Sequence, residues 1–396
     1  MHTNSDKQSL WSIAALPLGL TYVLFPAVDN IVRAMGMETE GAWIRNWIDG
    51  AWLLLLGLGL LRLVPRLAAP LKIPTVPLVG MIVATECMAI ALCSLLLNNQ
   101  RITPYMIELK PLFYVAVAGV WAGTFGLPSR RAIIAGGSIL SAFIVAELIV
   151  RSALAGAITH PIGSGEVNYD AFLIALSLCL ALADPDVSPR GSTWLFVGVL
   201  ASFSRTGAIA CMAILILSHR VTKLLKIAGV AAAGLAVFFS FQSRTLEFAV
   251  WQIDRYIMWS TAIQLFARHP LGLLFGYGLG AKLPSDIPIT LSDLWLAQSA
   301  KLGLDGVFAF HFHAMWLRLL ISWGCGFVLY LAGILLAWVW QKRVLVARYT
   351  AILILAEAFT MGVFYLSNVA VPALFVLAMA AQELYLREPK FSVARG

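Results

Sequence analysis

The chain has 396 residues, of which 60% are hydrophobic and only 12% charged. Soluble domains carry about 25% charged residues, so this composition excludes an ordinary water-soluble globular protein and points to a polytopic membrane protein. The net charge of +8 then calls for no nucleic-acid partner, because in such a protein it mainly reports basic cytoplasmic loops.

A spanning helix needs about 17–25 apolar residues. The apolar stretches predict spans at 10–28, 42–61, 73–97, 109–127, 132–156, 170–184, 193–218, 226–242, 312–338, 346–366 and 369–386. The first lacks a small-residue cleavage site and reads as a retained helix rather than a signal peptide. Cys87, Cys93, Cys179, Cys211 and Cys325 all fall inside apolar runs. They read as buried thiols, with no disulfide framework or metal spacing.

The stretch 193–218 is the exception, because Arg205 sits in its middle in "VLASFSRTGAIACMAIL". An arginine at the centre of a bilayer helix costs about 2.5–3.5 kcal/mol on insertion scales. Charge placement predicts how the chain avoids that cost. With Lys7 inside, the groups Arg62/Arg66/Lys72, Arg130/Arg131 and Arg190 also fall inside. His219, Arg220, Lys223 and Lys226 join them only if the chain breaks at Arg205, going out and back between 193 and 218. Lys342, Arg343 and the tail "REPKFSVARG" then land inside as well. The expected fold is an all-α integral membrane protein of about twelve transmembrane segments, with Arg205 at the tip of a hairpin near the outer face. Charged or non-helical backbone is tolerated there when it lines a wet cavity.

Three regions follow: an N-terminal transmembrane bundle over 1–242, a large external loop over 243–311, and C-terminal membrane helices with a cytoplasmic tail over 312–396. The loop is partly helical. In "LEFAVWQIDRYIMWSTAIQLFARHP", Leu246, Val250, Ile253, Ile257, Ile263 and Phe266 recur at helical spacing. A glycine-rich turn "LGLLFGYGLG" follows, then the polar "KLPSDIPITLSD", and the loop ends in "FAFHFHAMWLRLL". No internal repeat or low-complexity tract is evident.

Arg205 has two readings: an arginine paired with an intramembrane acid such as Glu86 or Glu147, or an anion site facing the outer leaflet. Arg255 in "WQIDRYIMW" is either a solvated residue paired with Asp254 or a second anion ligand. His311 and His313 stand at the start of a membrane helix, with Arg318 following; a histidine there is either structural or a base. No Cys, Asp or Glu cluster lies near the two histidines in sequence, which argues against a metal site. The "DPD" at Asp184–Asp186 falls on the cytoplasmic side and reads as turn chemistry. The "ETE" at Glu38–Glu40 lies in the first external loop, which keeps a metal-dependent transferase as a minor alternative. Arginine's planar fork suits diphosphate oxygens, and histidine suits removal of a hydroxyl proton near neutral pH. Together they fit transfer from a lipid diphosphate to a hydroxyl, with arginines stabilising the leaving group in place of a metal.

These residues resemble the O-antigen ligase and O-antigen polymerase family. The resemblance rests on "SFSRTG" with Arg205, on "DRYIMWSTAIQLFARHPLGLLFGYGLG" with Arg255, His269, Pro270, Gly276 and Gly278, and on "FHFHAMWLRLLISWGCGFVLY". Order and spacing agree over 198–330, and the twelve-segment expectation extends the likeness over the chain. One departure is Ala314, where the family usually has Asn. The resemblance implies a bacterial inner-membrane glycosyltransferase with its active site facing the periplasm. It would transfer a glycan from undecaprenyl diphosphate, with inversion and with no cofactor. His313 would be catalytic, Arg205 and Arg255 would bind diphosphate, and His311, Arg318 and Arg268 would be secondary candidates. Ligases use the lipid A–core oligosaccharide as acceptor, polymerases a second carrier-linked repeat; the "HFH" pair is more like the ligases. Two other classes compete: a transporter of lipid-linked glycans, which needs no base, and a structural membrane subunit, which leaves Arg205 and His313 unexplained.

Overall fold

The computed structural model describes residues 12–35, 47–63, 102–163, 167–245, 254–284, 300 and 302–387. Within them the chain is helical, and strand pairing is confined to one isolated bridge between Lys282 and Phe308. Four helices are long and apolar enough to cross a membrane: α1 (Ile13–Val32), α5 (Arg130–Ala155), the apolar part Lys223–Ser240 of α9, and α12 (Met315–Val339). Between and around them run α2 (Trp47–Leu63), α3 (Ile102–Glu108), α4 (Lys110–Phe125), α6 (Val167–Ala183), α7 (Pro189–Ala201), α8 (Arg205–Leu217) and α9 (Lys223–Thr245). The C-terminal part adds α10 (Asp254–Arg268), α11 (Pro270–Phe275), α13 (Leu345–Glu357) and α14 (Ala370–Arg387). The span expected at 73–97 lies outside the described residues.

Contacts at the helix ends gather those ends into two layers. At one end Arg130 pairs with Glu383, Arg131 approaches Asp186 at 4.0 Å, and Lys226 donates to the Ile216 carbonyl at 2.7 Å. At the other end the Trp52 indole donates to the Ser367 carbonyl at 2.7 Å, Lys110 pairs with Asp49 at 2.6 Å, and Ser240 donates to the Phe203 carbonyl at 3.1 Å. The first end collects the basic run at 130–131 and, after α12, that at 342–343. The helix α6 is the axis of the bundle, buried along nearly its whole length by α5, α7, α8 and α13. The outer surface is apolar: Leu61, Leu154, Leu224, Leu329 and Tyr330 are all well exposed. Such a surface has its favourable solvent in lipid rather than water.

The break at Arg205 is real. Helix α7 ends at Ala201 and α8 starts at Arg205. Between them Phe203 has φ +54°, a left-handed conformation uncommon for a non-glycine residue. Ser204 caps α8 by accepting the Gly207 N–H at 3.3 Å.

Three expectations need correction. The stretch 346–366 is not one helix, because α13 stops at Glu357. The N–H groups of Thr360 and Met361 both turn back to the Glu357 carbonyl at 2.9 Å, and a 3-10 turn follows at Val363–Tyr365. The stretch 312–338 is not one continuous helix either, because α12 is broken at Gly324, with φ +79°. Last, Ile263 is 65% exposed, so it is not on the buried face of α10. That face is Met258, Ala262, Leu265 and Phe266, packed on Val307, Phe312, Leu317 and Ile321. Ile257 and Phe266, the other two described residues of the expected stripe, are buried at 6% and 9% exposure. Leu246, Val250 and Ile253 lie outside the described residues.

The break in α12 is filled by the glycine-rich turn after α11. The carbonyls of Ile321 and Ser322, freed from helical bonding by the break, accept the N–H groups of Tyr277 at 2.7 Å and Gly278 at 3.2 Å. The approach requires glycine. A Cβ on Gly276 would stand 2.6 Å from the Ser322 oxygen, and Gly276 has φ +74°.

Candidate functional site

A short turn after α13, "EAFTMG" at residues 357–362, joins the three sequence segments that carry the candidate residues. The first is the start of α8, where the Thr206 hydroxyl bonds that of Thr360 at 3.0 Å, next in sequence to Arg205. The second is α10, where the Trp259 indole donates to the Phe359 carbonyl at 3.2 Å and the two rings stack at 5.7 Å. The third is the start of α12, where the Met315 N–H donates to the Met361 carbonyl at 3.1 Å and the Trp316 N–H to the Ala358 carbonyl at 3.2 Å. The turn thus satisfies donors at the α12 N-terminus, where a helix leaves four unpaired. That arrangement explains why the chain turns there instead of continuing α13.

Arg205 opens α8 and is half-buried. Helix α8 presents its N-terminal dipole beside it, which favours an anion at this point. His160 from the loop after α5 packs edge-on against Phe203 at 4.8 Å and closes the same corner. Of the two acids considered as partners for Arg205, Glu147 accepts the N–H groups of Ile162 at 2.9 Å and Gly163 at 3.0 Å. Glu86 is outside the described residues.

Arg255 is the second residue of α10, four residues before Trp259. Its backbone therefore stands one turn from the Phe359 contact; its side chain lies outside the described residues. Arg268 is exposed in the last turn of α10, followed by the half-buried His269.

The two histidines differ in setting. His311 is fully buried in the 3-10 turn Ala309–His311, its Nδ1 accepts the Phe308 N–H at 3.0 Å, and its ring lies 4.2 Å from that of Phe310. His313 is half-buried, and its carbonyl faces Gly362 of the turn. Ala314, where the related motif has Asn, is fully buried and occupies the N-cap of α12 without a side-chain cap. The task of ordering this helix start passes to the backbone bonds from Met361 and Ala358.

Arg318 is committed elsewhere. Its Nη2 bonds Glu108 Oε1 at 2.8 Å and its guanidinium lies over the Tyr365 ring at 3.5 Å. Ser322 donates to the other Glu108 oxygen at 3.5 Å. Arg318 therefore ties α3 to α12 and does not serve as a spare cation for a ligand.

Sequence reasoning missed Glu357, Thr360, Phe203 and His160. Glu357 had a signal, since an acid within an apolar segment is a functional-site hypothesis by default. The others had none, because their importance lies in contacts between distant segments. Among the described residues no three of His, Cys, Asp and Glu converge as a metal site; Glu38–Glu40 lie outside them. Compared with known proteins, the chain matches no family model, no curated protein sequence and no solved structure.

Proposed function

We propose that this chain is an inner-membrane glycosyltransferase of the O-antigen ligase kind, with its site on the periplasmic side. The observation that carries this reading is the turn at 357–362, against which the arginine segment, the arginine–aromatic helix and the histidine segment all pack. Residues 205, 255 and 313 are far apart in sequence, yet they stand one, four and two residues from Thr206, Trp259 and Met315, each of which bonds to that one turn.

Depth supports a lipid-borne donor. Helices α7, α8 and α13 have 13 residues each, about 20 Å at 1.5 Å per residue. All three run between the basic end and this corner. In a hydrocarbon core about 30 Å thick, the corner lies about 10 Å beneath the opposite surface. A water-soluble nucleotide sugar has little reason to meet a site there, whereas the diphosphate of a polyprenyl carrier reaches it from the leaflet.

In the proposed reaction Arg205 and Arg255 hold the donor diphosphate. His313 removes the proton from an acceptor hydroxyl of the lipid A–core oligosaccharide as the oxygen attacks the anomeric carbon. The carbon–oxygen bond to the diphosphate breaks with inversion, and undecaprenyl diphosphate leaves with the electron pair. The arginines contribute most as charge develops on the leaving oxygens. No cofactor is required.

The test is reconstitution of the purified chain with undecaprenyl-diphosphate-linked glycan and lipid A–core. Formation of a glycosidic bond, undiminished in EDTA, is expected. Binding or movement of the donor without bond formation would favour a transporter. Loss of activity in EDTA, restored by magnesium or manganese, would favour a metal-dependent transferase.

A further inference from the structure

Glu357 is fully buried at the end of α13, and among the described residues its carboxylate has no donor nearby besides the Thr206 hydroxyl. Its Oε1 lies at the first turn of α8, 3.3 Å from where a Cβ on Gly207 would stand. The neighbouring Thr206 hydroxyl is bonded to Thr360. An ionised carboxylate buried without donors is strongly unfavourable, and so is an arginine at membrane depth. Here one buried carboxyl stands at the N-terminus of the helix that begins with Arg205, where the positive end of the helix dipole favours its charged form.

We propose that Glu357 is the internal counter-charge of the Arg205 helix end, and that it takes up a proton when an anionic diphosphate lipid binds there. The proposal rests on the reading of Arg205 as a diphosphate ligand and goes beyond it. The incoming anion and the Glu357 carboxylate compete for the same positive field. Once the diphosphate supplies the negative charge, a second buried negative charge is repelled and is neutralised by a proton from the aqueous phase. Donor binding and proton uptake are thereby linked, and affinity falls as pH rises.

Other ionisable groups on the packed elements do not replace it. On α6, Asp170 is turned toward Gly163 and Cys179 lies deep in the core. On α8, the buried Cys211 thiol feels the Glu357 charge and stays in the neutral form. At the start of α12, Arg318 is paired with Glu108, and His313 meets the turn through its carbonyl. The adjoining end of α14, Ala370–Phe375, brings no ionisable side chain.

The experiment uses the full chain in lipid nanodiscs with farnesyl diphosphate as probe, between pH 7.5 and 9, where that diphosphate is fully ionised. Calorimetry in two buffers of different ionisation enthalpy is expected to show proton uptake on binding, up to one per ligand. Affinity is expected to fall up to tenfold per pH unit. Glu357→Gln should bind more tightly than wild type at pH 9 and lose both the uptake and the slope. An unchanged slope in Glu357→Gln, or no proton uptake by wild type, overturns the role of Glu357. The second measurement needs no variant, so a Gln variant that fails to fold does not remove the test. Binding that survives Arg205→Ala unchanged overturns instead the diphosphate site itself.

Discussion

The imidazole of His311 is enclosed between aromatic rings and accepts a backbone N–H at 3.0 Å, whereas His313 is only half-buried beside the turn. Their substitutions should therefore fail in different ways. General-base catalysis contributes about 10²–10⁴-fold, so His313→Ala is expected to lose that much turnover while thermal stability and donor binding hold. His311→Ala should lose stability first, since it leaves the Phe308 N–H unpaired and a cavity behind. Turnover measured beside thermal unfolding for both variants checks this; equal turnover losses at unchanged stability would contradict it. A second contrast concerns Arg318 and Glu108, a pair with side chains 8% and 0% exposed. Removing one partner of such a pair strands a buried charge and costs about 3–5 kcal/mol. Arg318→Met and Glu108→Gln should each lower the unfolding temperature sharply, and the double variant should recover much of the loss. If Arg318→Met instead leaves stability intact and abolishes donor binding, Arg318 is a ligand after all.

Helices α11 and α12 show how far the sequence pattern reached and where it stopped. Apolar length was sufficient to find α5, α6, α9 and α14, because each is one unbroken run, while α7 and α8 needed the charge pattern to divide 193–218. It could not find the break at Gly324, since "LISWGCGFVLY" is apolar on both sides and only the third dimension brings Gly276 against it. The same limit hid Glu357: "TAILILAEAFTMG" reads as the end of a span until Thr360 is seen bonded to Thr206. We propose that α11, within the 243–311 loop expected to be external, dips into the membrane. Gly324 lies fifteen residues before the basic end of α12 at Val339, about 22 Å along the helix. Within a core about 30 Å thick, the segment packed against Gly324 is several ångströms below the far surface. That segment is α11, and its Leu271, Leu274 and Phe275 are exposed at 68%, 52% and 75%. They extend the apolar surface of α12, where Leu329 and Tyr330 are both 69% exposed. Interfacial helices bury their apolar faces to a depth of about 5–10 Å, which suits these side chains. In a cysteine-free background, Phe275→Cys should resist a membrane-impermeant maleimide in intact bilayers and react once they are dissolved. Lys282→Cys, beyond the turn and half-exposed, should react in both. Rapid labelling of Phe275→Cys in intact bilayers would put α11 in water.

At the scale of the whole molecule, the corner at 357–362 and the cover of α10 and α11 share one end of the bundle, and the proposed reaction turns on what acceptor that end admits. A ligase needs one diphosphate site and space beside His313 for a lipid A–core headgroup carried on several acyl chains. A polymerase must hold two undecaprenyl diphosphates at once and so needs a second cationic site. Among the described residues Arg268 is exposed in the last turn of α10, and four other cations are already engaged with carboxylates. Arg318 is paired with Glu108, and Lys282 with Asp305 at 2.9 Å. Lys110 is paired with Asp49 at 2.6 Å and Arg151 approaches Glu147 at 3.8 Å. Cations already paired with carboxylates do not make a second strong anion site, because the incoming diphosphate must displace a charge of its own sign. This favours a single donor site and a lipid A–core acceptor. The two activities leave different products when the chain is deleted from its cell. Without a ligase, long polymer still forms and stays on undecaprenyl diphosphate, and the lipid A–core carries no O-antigen. Without a polymerase, single repeats still reach the core and give a core-plus-one band on a gel. The expected result is bare core with polymer retained on the carrier. A core-plus-one band would assign the polymerase reaction, and would point to Arg268 or to an opened ion pair as the second diphosphate site.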